Sequence, residues 1–213
     1  GSTADNLIRS GSGLDTVTGG TGADTIYGEA GADTLFGGGD ADTLFGGNDA
    51  DRLFGEAGND IIDGGSGNDV ISGGTGDDTL SGGANDDTFT GDAGTDTING
   101  DGGTDTLDYS AGGAITGGSF TAGSGTVTIG GETDSISGIE NFSLSGNGDS
   151  ITFDTATVNS LISAGGSVDG NGGTDVMSIT GDLTTGAIDG DDLASLFTDI
   201  EEIDLSGASI DGD

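Results

Sequence analysis

The chain of 213 residues has no cysteine, proline, histidine or tryptophan, and its only basic residues are Arg9 and Arg52. Without cysteine there is neither a disulfide framework nor a thiolate metal site. Without histidine, cysteine or lysine, the HExxH zinc motif, the Ser-His-Asp triad, the Cys-His pair and the Ser-Lys dyad cannot be assembled. Glycosidase-type carboxylate pairs remain chemically available, but few aromatic or basic residues exist to line a sugar cleft, so no enzyme active site is expected. No apolar run approaches the roughly 20 residues that cross a bilayer as a helix, so direct membrane insertion is not expected either. Leu, Ile, Val and Phe make up about a fifth of the residues, a level at which high charge ordinarily means disorder.

Acid and glycine are abundant instead. There are 39 Asp and Glu residues, a net charge of -37, and 49 glycines. A negative field of this strength disfavours nucleic acid, anionic lipid and acidic polysaccharide as partners and favours cations. By composition alone the chain should not fold in plain water. Free energy must come from something the sequence does not contain.

The acids are periodic. From Gly19 to Asp108 ten nonamers run without a slip, beginning GGTGADTIY, GEAGADTLF, GGGDADTLF and ending GDGGTDTLD. SGSGLDTVT (10–18) is an eleventh, and TADNLI (3–8) reads as a further, out-of-register rung. Position six is always aspartate: Asp15, Asp24, Asp33, Asp42, Asp51, Asp60, Asp69, Asp78, Asp87, Asp96 and Asp105. Position eight is always apolar, from Val17 and Ile26 to Ile98 and Leu107. Position four is glycine except at Asp40, Asp49 and Asn85. Asp and Asn best tolerate positive φ among the other residues, so this slot predicts a left-handed backbone. Nine residues is no helical period. The unit predicts a six-residue turn and a three-residue strand that buries one side chain, stable only when stacked on its neighbours.

The G-G-x-G-x-D-x-U-x unit resembles the nonapeptide of the RTX (repeats-in-toxin) family, over about half the chain. The resemblance implies an all-β fold, a right-handed parallel β-roll in which two nonamers make one turn and residues 18 apart stack. It also implies that calcium is held between stacked loops by the eleven aspartates named above. Pairs 18 apart, from Asp15 with Asp33 to Asp87 with Asp105, imply about nine ions. The physics agrees. Rungs lie roughly 4.8 Å apart, and two carboxylates at that spacing repel by about 1 kcal/mol even in water. A divalent ion turns repulsion into attraction, and its binding free energy becomes folding free energy. Oxygen donors without imidazole or thiolate suit calcium.

Tyr27, Phe36, Phe45 and Phe54 occupy position nine; in a two-sheet coil Tyr27 stacks on Phe45, and Phe36 on Phe54, as ordinary ladder packing. Arg52 is expected on the surface, paired with nearby acids. Three segments follow: opening rungs at 1–18, the nonapeptide roll at 19–108 and an irregular β-solenoid extension at 109–213. In the last, ISGIENFSLSG (136–146) recurs as FTDIEEIDLSG (197–207). Short helices are predicted at 155–163 and 191–200, the second with Leu193, Leu196, Phe197 and Ile200 on one face. Asp149 and Asp175 are candidate further ligands.

Together these features resemble segments of secreted bacterial adhesins and surface-layer proteins. They predict a calcium-binding structural module that folds outside the cell, exported by type I secretion to the surface or matrix. The alternative is a folding and secretion appendage of an exported enzyme whose catalytic domain lies elsewhere. An ice-binding solenoid is disfavoured, because position nine is aromatic or mixed rather than a regular threonine row. Both ends read as interrupted solenoid, so end-to-end association of copies is a further expectation.

Overall fold

The computed structural model describes residues 2–113, 115–121, 124–129, 131–182, 190–205 and 208–209. The chain forms two compact units, Gly1–Leu107 and Asp108–Asp213.

The first unit is built from twelve strands. They are β1 (Leu7–Arg9), β2 (Thr16–Thr21), β3 (Thr25–Ala30), β4 (Thr34–Gly39), β5 (Thr43–Asn48) and β6 (Arg52–Ala57), then β7 (Ile61–Ser66), β8 (Val70–Thr75), β9 (Thr79–Ala84), β10 (Thr88–Thr90), β11 (Thr97–Gly102) and β12 (Thr106–Asp108). Odd-numbered strands pair in sequence in one sheet and even-numbered strands in the other. The pairings are parallel and join residues two nonamers apart: Ile26 lies beside Leu44, and Leu35 beside Leu53. Two nonamers therefore make one turn of an all-β parallel β-roll.

Two features differ from the sequence expectation. Most strands have six residues rather than three, because the ladder continues through positions one to three, of which position one is glycine throughout. Identical neighbouring rungs supply the backbone partners there, whatever the side chain. TADNLI is in register: Leu7, Ile8 and Arg9 pair with Thr25, Ile26 and Tyr27. Asn6 therefore occupies position six, and Asp5 position five.

The core is a narrow one. Ile26, Leu35, Leu44, Leu53, Ile62 and Ile71 are at most 1 % exposed, and the same position stays buried through Leu107. Along each six-residue strand the second and fourth residues face inward, and the fourth is glycine. The predicted left-handed slot is present, with φ of 74°, 72° and 82° at Asp40, Asp49 and Asn85. Position two is left-handed as well, at Glu29 and Glu56 (72° and 76°). The rings of Tyr27 and Phe45 stack at 4.8 Å, and those of Phe36 and Phe54 at 5.1 Å, as the two-sheet coil requires. Arg52 does not pair with an acid among the described residues; its guanidinium lies 5.5 Å from the Phe54 ring centre. Arg9 makes the ion pair instead, with Glu29 at 2.9 Å, while its guanidinium covers Tyr27 at 4.1 Å.

The second unit opens with β13 (Ile115–Thr121), β14 (Ser124–Ile129), β15 (Glu132–Ser137) and β16 (Asn141–Ser143). It continues with β17 (Ser150–Asp154), α1 (Thr155–Ala164), β18 (Ser167–Asp169) and β19 (Val176–Asp182), then α2 (Gly190–Leu196), β20 (Phe197–Thr198) and β21 (Glu202–Asp204). Strands β13, β14 and β15 form an antiparallel meander, and β13 then pairs parallel with β17. Parallel rungs resume at a wider spacing, with Ile151 beside Met177 and Met177 beside Ile203. The extra residues hold α1, capped by the Asp154 carboxylate on the Thr157 N–H at 2.7 Å and closed by Gly165 at φ 72°. Helix α2 ends at Leu196, short of the predicted Ile200. Phe197 leaves the helix to pair with Val168 and is 7 % exposed. The similar segments 136–146 and 197–207 do not take equivalent places, since Phe142 lies in the β16–β18–β20 sheet and Ile203 in the β17–β19–β21 sheet.

Candidate metal centre

The position-six aspartates form the densest polar feature of the first unit. From Asp24 to Asp105 each is at most 2 % exposed; Asp15, at the start, is half-buried. The structure brings every predicted pair together in one way. The backbone N–H of each aspartate donates to the Oδ1 of the aspartate one full turn on: Asp24 to Asp42, Asp33 to Asp51, Asp42 to Asp60 and Asp60 to Asp78, all at 2.7 Å. The bond recurs from Asp15 to Asp33 through Asp87 to Asp105, both at 2.8 Å. Asn6 joins the ladder by donating its N–H to Asp24 at 2.7 Å.

In seven of these aspartates the second carboxylate oxygen has no partner. Oδ2 of Asp24, Asp42, Asp51, Asp60, Asp69, Asp78 and Asp87 is buried without a hydrogen bond. Its surroundings follow from the inward glycine at position one. A Cβ added at Gly46 would stand 2.6 Å from both Asp51 Oδ2 and the Gly64 carbonyl oxygen. At Gly64 the corresponding distances are 2.5 Å to Asp69 Oδ2 and 2.6 Å to the Gly82 oxygen. The same pair, a carboxylate oxygen and a carbonyl of the next turn, converges beside Gly19, Gly28, Gly37, Gly55 and Gly82. Two acceptors converge in each of these small cradles, and the buried carboxylate oxygen has no hydrogen-bond donor, an arrangement that a cation satisfies directly. Among the described residues no three acidic side chains converge. A cation would take one carboxylate oxygen per rung and complete its shell with backbone carbonyls, which is within the habit of calcium.

The electrostatics point the same way. Burial pushes the Asp42 and Asp51 carboxyls up to about 6 and those of Asp78 and Asp87 to about 7. The bond from the backbone N–H opposes this, and the acids one turn above and below reinforce it. Asp60 and Asp69 are raised by burial as well. In the second unit Asp149 and Asp175 are 1 % and 0 % exposed, and Asp149 N donates to Asp175 Oδ1 at 2.8 Å.

A second, outer ladder was missed by the sequence reading. Gly22 N donates to Asp40 Oδ2 at 3.0 Å, Ala23 N to Asp5 Oδ1 at 3.0 Å, Thr95 N to Asp77 Oδ1 at 3.0 Å and Thr104 N to Asp86 Oδ1 at 2.9 Å. These acids cap the turn of a neighbouring rung from the solvent side. Their signal is the recurrence of Asp and Asn at positions four and five.

The sequence pattern of the RTX calcium-binding nonapeptide repeat matches residues 1–35, 9–44, 36–71, 45–80 and 72–107. The match starts at the first residue, in agreement with the in-register rung at Asn6. No curated protein matches the chain. Two-sheet stacking, rungs repeating every two nonamers, the carbonyl-lined cradles and a pattern covering half the chain have one reading: the chain belongs to the RTX family of calcium-binding nonapeptide-repeat proteins.

Proposed function

We propose that the chain is a structural module of a secreted surface or matrix protein, one that folds when it meets extracellular calcium. In this reading Asp15, Asp24, Asp33, Asp42, Asp51, Asp60, Asp69, Asp78, Asp87, Asp96 and Asp105 are ligands, about nine ions lie between successive turns, and export precedes folding. The observation that carries it is the row of buried Oδ2 atoms without a hydrogen bond, those of Asp24, Asp42, Asp51, Asp60, Asp69 and Asp87 set beside a carbonyl oxygen of the next turn. Such a row disfavours the folded state where calcium is scarce and stabilises it where calcium is plentiful. Extracellular calcium modules work at roughly 10⁻⁴ to 10⁻³ M, a concentration met outside the cell and not in the cytosol. Histidine, cysteine and lysine, on which most nucleophilic catalysis draws, are missing from the sequence, while the stacked rungs suit a rigid spacer.

The test is antibody labelling of intact source cells, before and after washing with chelator. The reading predicts surface labelling that chelator reduces as the module unfolds. Recovery of the antigen solely from the medium, joined to a hydrolytic domain, would instead make it the appendage of an exported enzyme.

A further inference from the structure

The second unit, outside the matched repeats, contains a cradle of the same construction. Gly170 is buried, and Asp175 follows it at the spacing that separates Gly46 from Asp51. Asp175 is 0 % exposed, its Oδ1 accepts from Asp149 N at 2.8 Å, and its Oδ2 is buried without a partner. A Cβ added at Gly170 would stand 2.6 Å from that Oδ2 and collide with the carbonyl oxygen of Asp199. The equivalent point at Gly46 lies 2.6 Å from Asp51 Oδ2 and from the Gly64 carbonyl.

The Asp199 carbonyl is delivered differently from those of the roll. It belongs to the turn after β20, where Asp199 itself has φ 51° and Thr198 O accepts from Gly170 N at 2.9 Å. The turn brings further negative charge, since Glu201 Oε2 accepts from Asp175 N at 2.8 Å. The ladder Asp149, Asp175, Glu201 therefore repeats the roll's logic on a longer rung. Burial, and then the charges of Asp149, Glu201 and Asp199, raise the Asp175 carboxyl above its ordinary range.

We infer that Asp175 Oδ2 and the Asp199 carbonyl oxygen hold a divalent cation of the calcium class, a site in a helix-bearing rung beyond the nonapeptide repeats. The inference rests on the reading that the roll's cradles bind calcium. The site would tie the turn after β20 to the start of β19, ordering the second unit by the same kind of ion that orders the first.

Equilibrium dialysis of the full chain against radioactive calcium tests it. Asp175→Asn keeps an oxygen for the Asp149 N–H, and Gly170→Ala fills the cradle. Each is expected to bind one ion fewer than the wild type or Glu202→Gln, an exposed residue of equal charge loss. Asp60→Asn reports on the roll separately. Full stoichiometry in Asp175→Asn and Gly170→Ala, with ions lost in Asp60→Asn, overturns the inference and leaves the roll reading intact. Full stoichiometry in all three overturns both. Should the variants fail to fold, crystals of the wild-type chain grown in terbium decide. Anomalous density beside Asp175 Oδ2 and Asp199 O supports the site, and density confined to the roll contradicts it.

Discussion

Two glycines of the roll separate the cradle from a general claim about glycine-rich chains. Gly64 and Gly39 each become alanine. At Gly64 the new methyl would lie 2.5 Å from Asp69 Oδ2 and 2.6 Å from the Gly82 oxygen, inside the cradle. At Gly39 it would meet only Thr21 Cγ2 at 3.6 Å and the Gly20 oxygen at 4.0 Å, ordinary contacts, and no left-handed φ is needed. Overpacking of a rigid interior costs about 1–3 kcal/mol, and at Gly64 the obstructing atoms are backbone and a bonded carboxylate that cannot retreat. Removing backbone freedom from the unfolded chain at a compatible site instead stabilises by about 0.4–1 kcal/mol. With a urea slope of about 2 kcal/mol per molar, Gly64→Ala should lower the midpoint in saturating calcium by about 0.5–1.5 M, and Gly39→Ala should raise it slightly. Gly64→Ala should also bind fewer ions by calorimetry, whereas Gly39→Ala should bind the wild-type number. Equal urea midpoints and equal stoichiometry for the two variants would refute the cradle.

Further expectations follow from the same geometry. Asp60→Ala removes a cradle oxygen and orphans the Asp42 N–H, a loss of about 1–3 kcal/mol, so its calcium affinity by calorimetry should fall well below that of Asp15→Ala, whose carboxylate is half-buried at the start of the stack. In the calcium-free roll the raised carboxyls (about 6 at Asp42 and Asp51, about 7 at Asp78 and Asp87) mean that the folded state holds protons the unfolded chain releases. The penalty is full above pH 7 and fades as pH falls toward 4, so strand signal in chelator should grow as pH drops from 7.5 to 5; a chelator spectrum unchanged across that range by circular dichroism would contradict this. Arg9→Ala, losing an exposed ion pair and a cation–π contact, should lower stability by no more than about 1 kcal/mol in urea denaturation.

The roll was legible in the sequence because a strict nonamer leaves few choices. An apolar residue always two places after an aspartate fixes which side chain faces inward, and the ring pairs Tyr27–Phe45 and Phe36–Phe54 follow from it. The positive φ at Asp40, Asp49 and Asn85 could be read from residue type alone. The chemistry of the aspartates was less legible. Sequence spacing puts Asp42 and Asp60 together but cannot show that one oxygen of Asp60 is taken by the Asp42 N–H while the other faces a carbonyl. Asn6 stands where the repeat has aspartate, so the pattern alone does not mark it as position six, although its N–H and side-chain amide bond Asp24 as the ladder requires. In the second unit the helices break the period, so the likeness of 136–146 to 197–207 suggested an equivalence that strand pairing does not honour. The spacing that matters there is set by Asp149, Asp175 and Glu201, too few to register as a repeat.

Far-UV circular dichroism of the whole chain at pH 7.5 bears most directly on the central claim that the cation is part of the fold. The prediction is a disordered spectrum in chelator and recovery of strand signal on adding calcium to roughly 10⁻⁴ to 10⁻³ M, with no recovery in equivalent sodium chloride. A native strand spectrum in chelator at that pH would contradict it, because the facing acceptors of the cradles would then be tolerated with nothing between them.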